Sequence, residues 1–332
     1  MTSEEVDIPF EVFSNEHGWR ADVFLSRRIK RMSRNTAADV IKNGQLRRED
    51  GALIEKPSYR VREGDLFLMR RKKLREAPTD DIQIPVIYED DDVLVVNKPG
   101  GLVVHPTASA YHRTLIRILR ERRPDHYLTL SHRLDKETSG LMFLARNLES
   151  DTAIKEDFAH RRISKAYLAI VIGVVDDDEF VIDQPMRAMP ESVSSCMMEV
   201  GGEGAVPAVT EVTVISRGKQ CTLVEARPKT GRQHQIRVHL ATVGHPIIGD
   251  KLYLGGEDFF LRSLGGRMAN EDLIGAIGHW RQALHAWRVS VTHPRSKEPL
   301  TVHAPLPPDL LGLCDQFGLS VPAAADQNGD SK

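Results

Sequence analysis

The sequence predicts an α+β protein of two domains: a small N-terminal α+β module, then a larger domain built on a mixed, largely antiparallel sheet. Three observations carry that expectation. Beyond residue 83, strand-like runs outnumber helical ones and do not alternate with them as a βαβ array would. Two of those runs, 211–215 and 222–226, flank Ser216-Arg217-Gly218-Lys219, a hairpin signal. Charge also shifts abruptly: residues 17–75 carry 17 Lys or Arg against 7 Asp or Glu, whereas residues 151–204 carry 5 against 11.

Taken in order, residues 1–16 are acidic and read as a disordered tail. Residues 20–31 follow as an amphipathic helix, with Val23, Phe24 and Ile29 toward a core and Arg27, Arg28, Lys30 and Arg31 outward. Ser33-Arg34-Asn35 caps a second helix over 36–43, which Gly44 ends, and Ser58 to Asp65 leads into a strand at 66–69. These elements make a domain over 17–75. Glu76-Ala77-Pro78-Thr79 breaks periodicity and places a linker at 76–82. The larger domain spans 83–312, with strands at 93–97, 141–146, 167–172, 211–215, 222–226 and 287–291 and helices at 114–123 and 152–160. An irregular insertion is expected at 255–278 and a second disordered tail at 313–332.

The chain has 332 residues and 41% hydrophobic content, ample for a buried core. No apolar run approaches the ~18 residues of a membrane span. Its first residues lack the basic and apolar regions of a secretory signal, so a cytoplasmic protein is expected, without membrane contact and as a monomer. Cys196, Cys221 and Cys314 are odd in number and have neither zinc nor disulfide spacing, so they read as reduced thiols. The net charge of −2 says nothing for nucleic acid, but the basic surplus of 17–75 makes that segment a candidate RNA-binding surface.

Two segments hold more polar chemistry than packing needs. In His132-Arg133-Leu134-Asp135-Lys136-Glu137-Thr138-Ser139-Gly140, one carboxylate sits among cations in a turn that enters an apolar strand. An Asp in a turn is ordinarily a cap, but the neighbours favour a mounted acid or base. Lys229 to His239 adds two arginines, two histidines and two amides. A metal site is not expected there, because His234 and His239 at i, i+5 face different sides of a helix and the arginines repel a cation. Asn97-Lys98-Pro99-Gly100-Gly101 lacks phosphate-loop spacing and reads as a turn.

HRLDKETSG, KTGRQHQIRVHLATVGHPIIGD and Lys165-Ala166-Tyr167, in that order, resemble three signature motifs of the RluA-type pseudouridine synthases, a likeness running from about residue 83 to about 308. RADVFL, Ser33-Arg34, IKNGQL and REGDLF resemble an S4-like RNA-binding domain, although Arg47-Arg48-Glu49-Asp50-Gly51 replaces the family's usual turn. The resemblance implies a pseudouridine synthase catalytic domain that isomerises uridine in structured RNA, foremost large-subunit ribosomal RNA, with transfer RNA the other substrate to consider. It implies no cofactor and no metal. Asp135 would be the catalytic carboxylate, Arg237 its cation, and Tyr167 the aromatic that stacks on the base and helps take the proton from carbon five. Arg133 and Leu284 would contact the extruded nucleotide, Arg232 and Lys136 the RNA backbone, and Arg27, Arg28, Arg31 and Arg34 phosphates. A non-catalytic RNA-binding or ribosome-assembly protein that keeps the fold is the reading from another class, and a metal-dependent hydrolase is the third.

Overall fold

The computed structural model describes residues 5–29, 32–72, 79–106, 110, 112–194, 196–264 and 268–326. They fall into two compact units divided between Ala77 and Pro78.

In the first unit, β1 (Glu5–Glu11) and β2 (Leu46–Arg48) both pair antiparallel with β3 (Leu66–Lys72). The expectation of a disordered 1–16 is thereby corrected over residues 5–16, and residues 1–4 lie outside the described ones. Ile8 and Phe10 alternate along β1 and pack on the core, and the acidic Asp7 that made the segment look soluble pairs with Arg47 and Arg70 on the neighbouring strands. α1 (Ala21–Arg28) buries Phe24 and Leu25, while Val23 stays half-buried and Ile29 lies just past the helix end. α2 (Arg34–Lys42) begins where Ser33 Oγ accepts from the Thr36 amide at 3.0 Å, and it ends before Gly44, whose φ of +68° suits glycine.

In the second unit, the strands are β4 (Val86–Glu89), β5 (Val93–Lys98), β6 (Thr129–Leu130), β7 (Ser139–Ala145), β8 (Ser164–Ile172), β9 (Glu179–Asp183), β10 (Met186–Ala188), β11 (Met198–Val200), β12 (Val209–Arg217), β13 (Cys221–Pro228), β14 (Leu284–Thr292) and β15 (Pro299–His303). Most join one sheet of order β4-β5-β7-β14-β8-β13-β12-β9, with β6 on β7 and β15 on β14. Every pairing in it is antiparallel except β7 with β14, so the sheet is mixed and largely antiparallel. Its middle is covered on both faces. Leu94, Val96, Met142 and Leu144 pack under α3 (Leu115–Arg122), and Val93, Val95, Leu141 and Phe143 under α4 (Leu148–Ala159), which is why β5 and β7 read as continuous apolar runs.

α5 (Gln235–Thr242) and α8 (Pro308–Phe317) cover the other half. The 313–332 tail is corrected: Leu310, Leu313 and Cys314 recur at helical spacing and are buried with Leu319, and α9 (Ala323–Asp326) follows. Residues 327–332 lie outside the described ones. The insertion at 255–278 is not irregular either, since it holds α6 (Glu257–Ser263) and α7 (Asn270–Ile277), the latter burying Leu273 and Ile277 one turn apart. Among the described residues no helix is long and apolar enough to cross a membrane.

The parallel β7–β14 pair fixes one glycine. Gly140 has φ +112°, and a Cβ there would lie 2.6 Å from the Ala286 amide nitrogen and closer still to its carbonyl. Gly140→Ala should therefore cost about 3 kcal/mol or more through strain at that backbone position and forced strand separation. Gly312→Ala, in α8 with open space around it, should instead gain roughly 0.5–1 kcal/mol. Urea unfolding of both variants checks the contrast, and equal effects would contradict it.

Candidate active site

Asp135 lies on the loop between β6 and β7, and that loop is fixed from behind residue by residue. Lys98 Nζ donates to the Lys136 carbonyl at 3.1 Å, and the buried Arg281 donates to the Glu137 carbonyl at 3.0 Å. Glu137 pairs with Lys251, Gln282 Nε2 donates to Thr138 Oγ1 at 2.6 Å, and Ser139 Oγ bonds His285 at 2.9 Å. Gly140 then closes on β14. At the start of the loop, the Phe143 amide donates to His132 Nε2 at 3.0 Å, and the imidazole stacks on Phe158 with ring centroids 4.7 Å apart. Burial and Lys165 push His132 down to about 3, so it is a neutral packing group. A side chain carried on so constrained a loop is pre-oriented.

The second motif folds into a turn and α5. Gln235 seats the turn: its Oε1 accepts from Thr230 Oγ1 at 2.6 Å and from the Arg232 amide at 3.1 Å, and its Nε2 donates to the Val209 carbonyl at 2.9 Å. His239 bonds Thr210 and the Gln184 carbonyl inside the core and so is structural. Arg237, with an 8% exposed side chain, points to the loop. Its Nε and Nη2 fork onto the wholly buried Asp250 at 2.7 and 2.8 Å, and its Nη1 donates to Asp135 Oδ2 at 2.9 Å. Tyr253 lies against the same guanidinium, 5.1 Å from its ring centroid.

The electrostatics follow from this chain of charges. Burial, the largest single effect, would raise the Asp135 carboxyl, but the charge and hydrogen bond of Arg237 together with His234 and Gln282 outweigh it and hold the group below the usual carboxylate range. Asp250 is lowered for the same reason, against the same burial. His234, at the left-handed cap of α5 with φ +56°, sets its Nε2 3.8 Å from Asp135 Oδ2 and its Nδ1 3.0 Å from the Tyr253 hydroxyl. Burial and Arg237 push it down to about 4, so it is neutral near pH 7. The Tyr253 oxygen accepts from the Met198 amide at 3.0 Å, and its own proton is then available to His234 Nδ1. That leaves the ring proton on Nε2, turned toward the negative Asp135, the tautomer a neighbouring carboxylate favours.

A cavity of about 500 Å³ opens beside Asp135 and is walled by Arg133, Tyr167, Arg232, Arg237 and Leu284 as well. Tyr167 and Leu284 come from adjacent strands, and Tyr167 is flanked by Ala226 and Ala286, whose small side chains leave its ring room. Burial and the Asp135 charge keep the Tyr167 hydroxyl protonated. Asp135, Tyr167, Arg237, Arg133, Arg232 and Leu284 are thus brought together. Lys136 is not: its side chain is exposed away from the cavity lining, and its carbonyl is what the loop uses.

In the N-terminal unit, Arg28 pairs with Glu16 at 2.7 Å and Arg34 with Asp22 at 3.1 Å, whereas Arg27 is exposed over the Trp19 ring. Arg31 lies outside the described residues.

Asp250, Lys98, Gln282, Arg281 and Tyr253 were not expected in this role. Lys98 was read as part of a turn, yet it is fully buried at the end of β5 and donates to three carbonyls. Asp250→Asn should cost about 3–5 kcal/mol, because it strips a buried arginine of its principal counter-charge. Asp135→Asn, with Asp250 intact, should change stability by about 1 kcal/mol or less. The sign with pH is fixed: Asp250 titrates below its ordinary 3.8 in the folded chain, so its stabilisation is complete above that value and is lost as pH falls through its lowered value. The gap between wild type and Asp250→Asn in urea unfolding should therefore narrow from about pH 7 to about pH 3. A gap that widened would refute the charge assignment.

Residues 92–242 match the family described as RNA pseudouridylate synthase. Proteins named ribosomal large subunit pseudouridine synthase D are similar along most of the chain. That of Zymomonas mobilis is 32% identical over 325 residues, 93% of this chain and 96% of its own length, and that of Xanthomonas campestris is 36% identical over 301 residues, 89% and 88%. Among solved structures, human RNA pseudouridylate synthase domain containing 4 matches with a TM-score of 0.57 at 28% identity, covering 72% of this chain and 94% of its own. Human RNA pseudouridylate synthase domain containing 1 matches at 0.56 and 29%, covering 71% and 89%. The chain belongs to the RNA pseudouridylate synthase family and is an isomerase.

Proposed function

We propose that the protein converts uridine to pseudouridine in large-subunit ribosomal RNA, with Asp135 as the catalytic carboxylate. The observation that carries this reading is the Asp135–Arg237 contact of 2.9 Å at the wall of a cavity that Tyr167 and Leu284 also line. The substrate class follows the names of the relatives. In the reaction, the bond from the ribose to uracil N1 breaks, the freed base turns, and a bond to its carbon five forms, with the proton of carbon five ending on N1. Net oxidation state does not change, so no redox cofactor is required.

Asp135 acts as nucleophile or base, and either role needs the ionised form that Arg237 maintains. Tyr167 and Leu284 grip the two faces of the base. Because burial and the negative Asp135 hold the Tyr167 hydroxyl protonated, that hydroxyl begins as a donor; it becomes more acidic once the carboxylate charge is consumed in the reaction. A uridine within folded RNA must first be swung out, at roughly a few kcal/mol, and Arg133, exposed at the cavity mouth, is placed to occupy the vacated position. Arg232 meets the backbone. The N-terminal unit serves as an S4-like RNA-binding module through Arg27 and Arg34, in a cytoplasmic monomer.

Carbodiimide mapping of a large-subunit RNA transcript treated with wild type should reveal a modified uridine, and Asp135→Asn should lose it while still binding the RNA. Modification absent with both proteins would instead favour an RNA-binding protein that keeps the fold without the reaction. Deleting residues 1–76 should weaken affinity and flatten its salt dependence more than it slows turnover. Unchanged binding in salt titrations would count against the module.

A further inference from the structure

A second, smaller cleft of about 220 Å³ opens off the active cavity, and the function does not yet use it. It carries five cations, Arg161, Arg162, Lys165, Arg227 and Lys229, and no acidic side chain lines it. Three of the five are already committed: Arg162 to Asp157 at 2.7 Å, Arg227 to Glu225 at 3.0 Å, and Lys229 to Glu211 at 2.8 Å. Arg161 and Lys165 have no acidic partner among the described residues, and both line the small cleft and the active cavity alike, so they stand at the neck between the two.

We propose that Arg161 and Lys165 form a phosphodiester-binding subsite for the RNA linkage next to the target nucleotide. The inference rests on the functional reading above and deepens it. A cleft this size falls below the roughly 300–1,000 Å³ of pockets for whole small-molecule ligands and suits a single charged group. Its position fits a nucleotide whose base enters the larger cavity while its backbone stays at the neck.

Two further observations point the same way. Arg161 follows α4 with φ +58°, a left-handed position where glycine is the usual occupant, so a long cationic side chain stands where the backbone disfavours one. Lys165 is only half-exposed on β8, two residues before Tyr167, with its ammonium 5.7 Å over the Phe158 ring. Burial without a counter-ion lowers its affinity for a proton, a cost that an arriving phosphate would remove.

The test uses the full chain and two RNAs. Salt titration of binding to a large-subunit transcript fragment should give, for Arg161→Gly with Lys165→Gln, a log-affinity slope smaller by about one than wild type, and Lys165→Arg should keep the wild-type slope. In single-turnover kinetics on a hairpin around the mapped uridine, a neutral methylphosphonate at one flanking linkage should slow wild type and leave the double variant unaffected. An unchanged slope, or methylphosphonates that slow both proteins equally at both linkages, would overturn the subsite. Unfolding midpoints confirm that Arg161→Gly, which relieves the backbone, and Lys165→Gln leave the fold intact. Binding needs no turnover, so a wild type that binds but modifies no uridine sinks the functional reading while the slope still judges the cleft.

Discussion

One guanidinium shared between two carboxylates is the constraint on which the site depends. Arg237 is nearly buried, and a charge so placed is tolerable only when paired and hydrogen-bonded. Asp250 takes two of its three donor directions and is itself fixed by the amides of Leu252 and Tyr253. Only Nη1 remains for Asp135. The division matters for chemistry: a carboxylate gripped by both prongs of a fork would be ionised but spent, whereas one held by a single donor stays ionised and able to react. Asp250 thus orients the guanidinium that keeps Asp135 ionised and sets the looseness with which it is held.

The sheet supplies the rest of the geometry. The parallel β7–β14 pair brings the Asp135 loop and Leu284 to the same end of adjoining strands, and β8 lies on the other side of β14 with Tyr167 in register with Ala286. The carboxylate on its braced loop at the entrance to β7, the aliphatic face on β14 and the aromatic face on β8 therefore arrive side by side, and α5 adds the cation from outside the sheet. Two strands, a helix and a loop tied down from behind are what keep such a constellation within tolerance.

How far this was legible in the sequence depended on whether the signal was local. Asp135 stood out because polar groups were concentrated next to an apolar run, Arg237 and Tyr167 because their motifs resemble those of the family, and the β12–β13 hairpin announced itself by its turn. The supporting residues did not. Lys98, Gln282, Arg281 and Asp250 come from segments far along the chain, each unremarkable alone, and spacing within one sequence carries no record of which distant groups meet. The strands β10 and β11, of three residues each, fell below the length at which alternation can be read, and β9 and β15, of five each, were not picked out. The acidic start of the chain misled for a different reason: composition favoured solvation, while the alternation of Ile8 and Phe10 favoured a strand, and pairing with β3 decided in favour of the strand.

The Ser139–His285 hydrogen bond spans 146 positions of the chain, and Asp135 is 102 positions from Arg237. Contacts of such separation are slow to form, because their closure entropy is met before any reward arrives. During synthesis, β14 emerges after every other strand of the sheet but β15, and without it the Asp135 loop lacks the β14 backbone beside Gly140 and the side chains of Arg281, Gln282 and His285. A nascent chain released before β14 would hold all three signature motifs and still be inert, so the emergence of β14 acts as the gate on when this protein can first touch RNA productively.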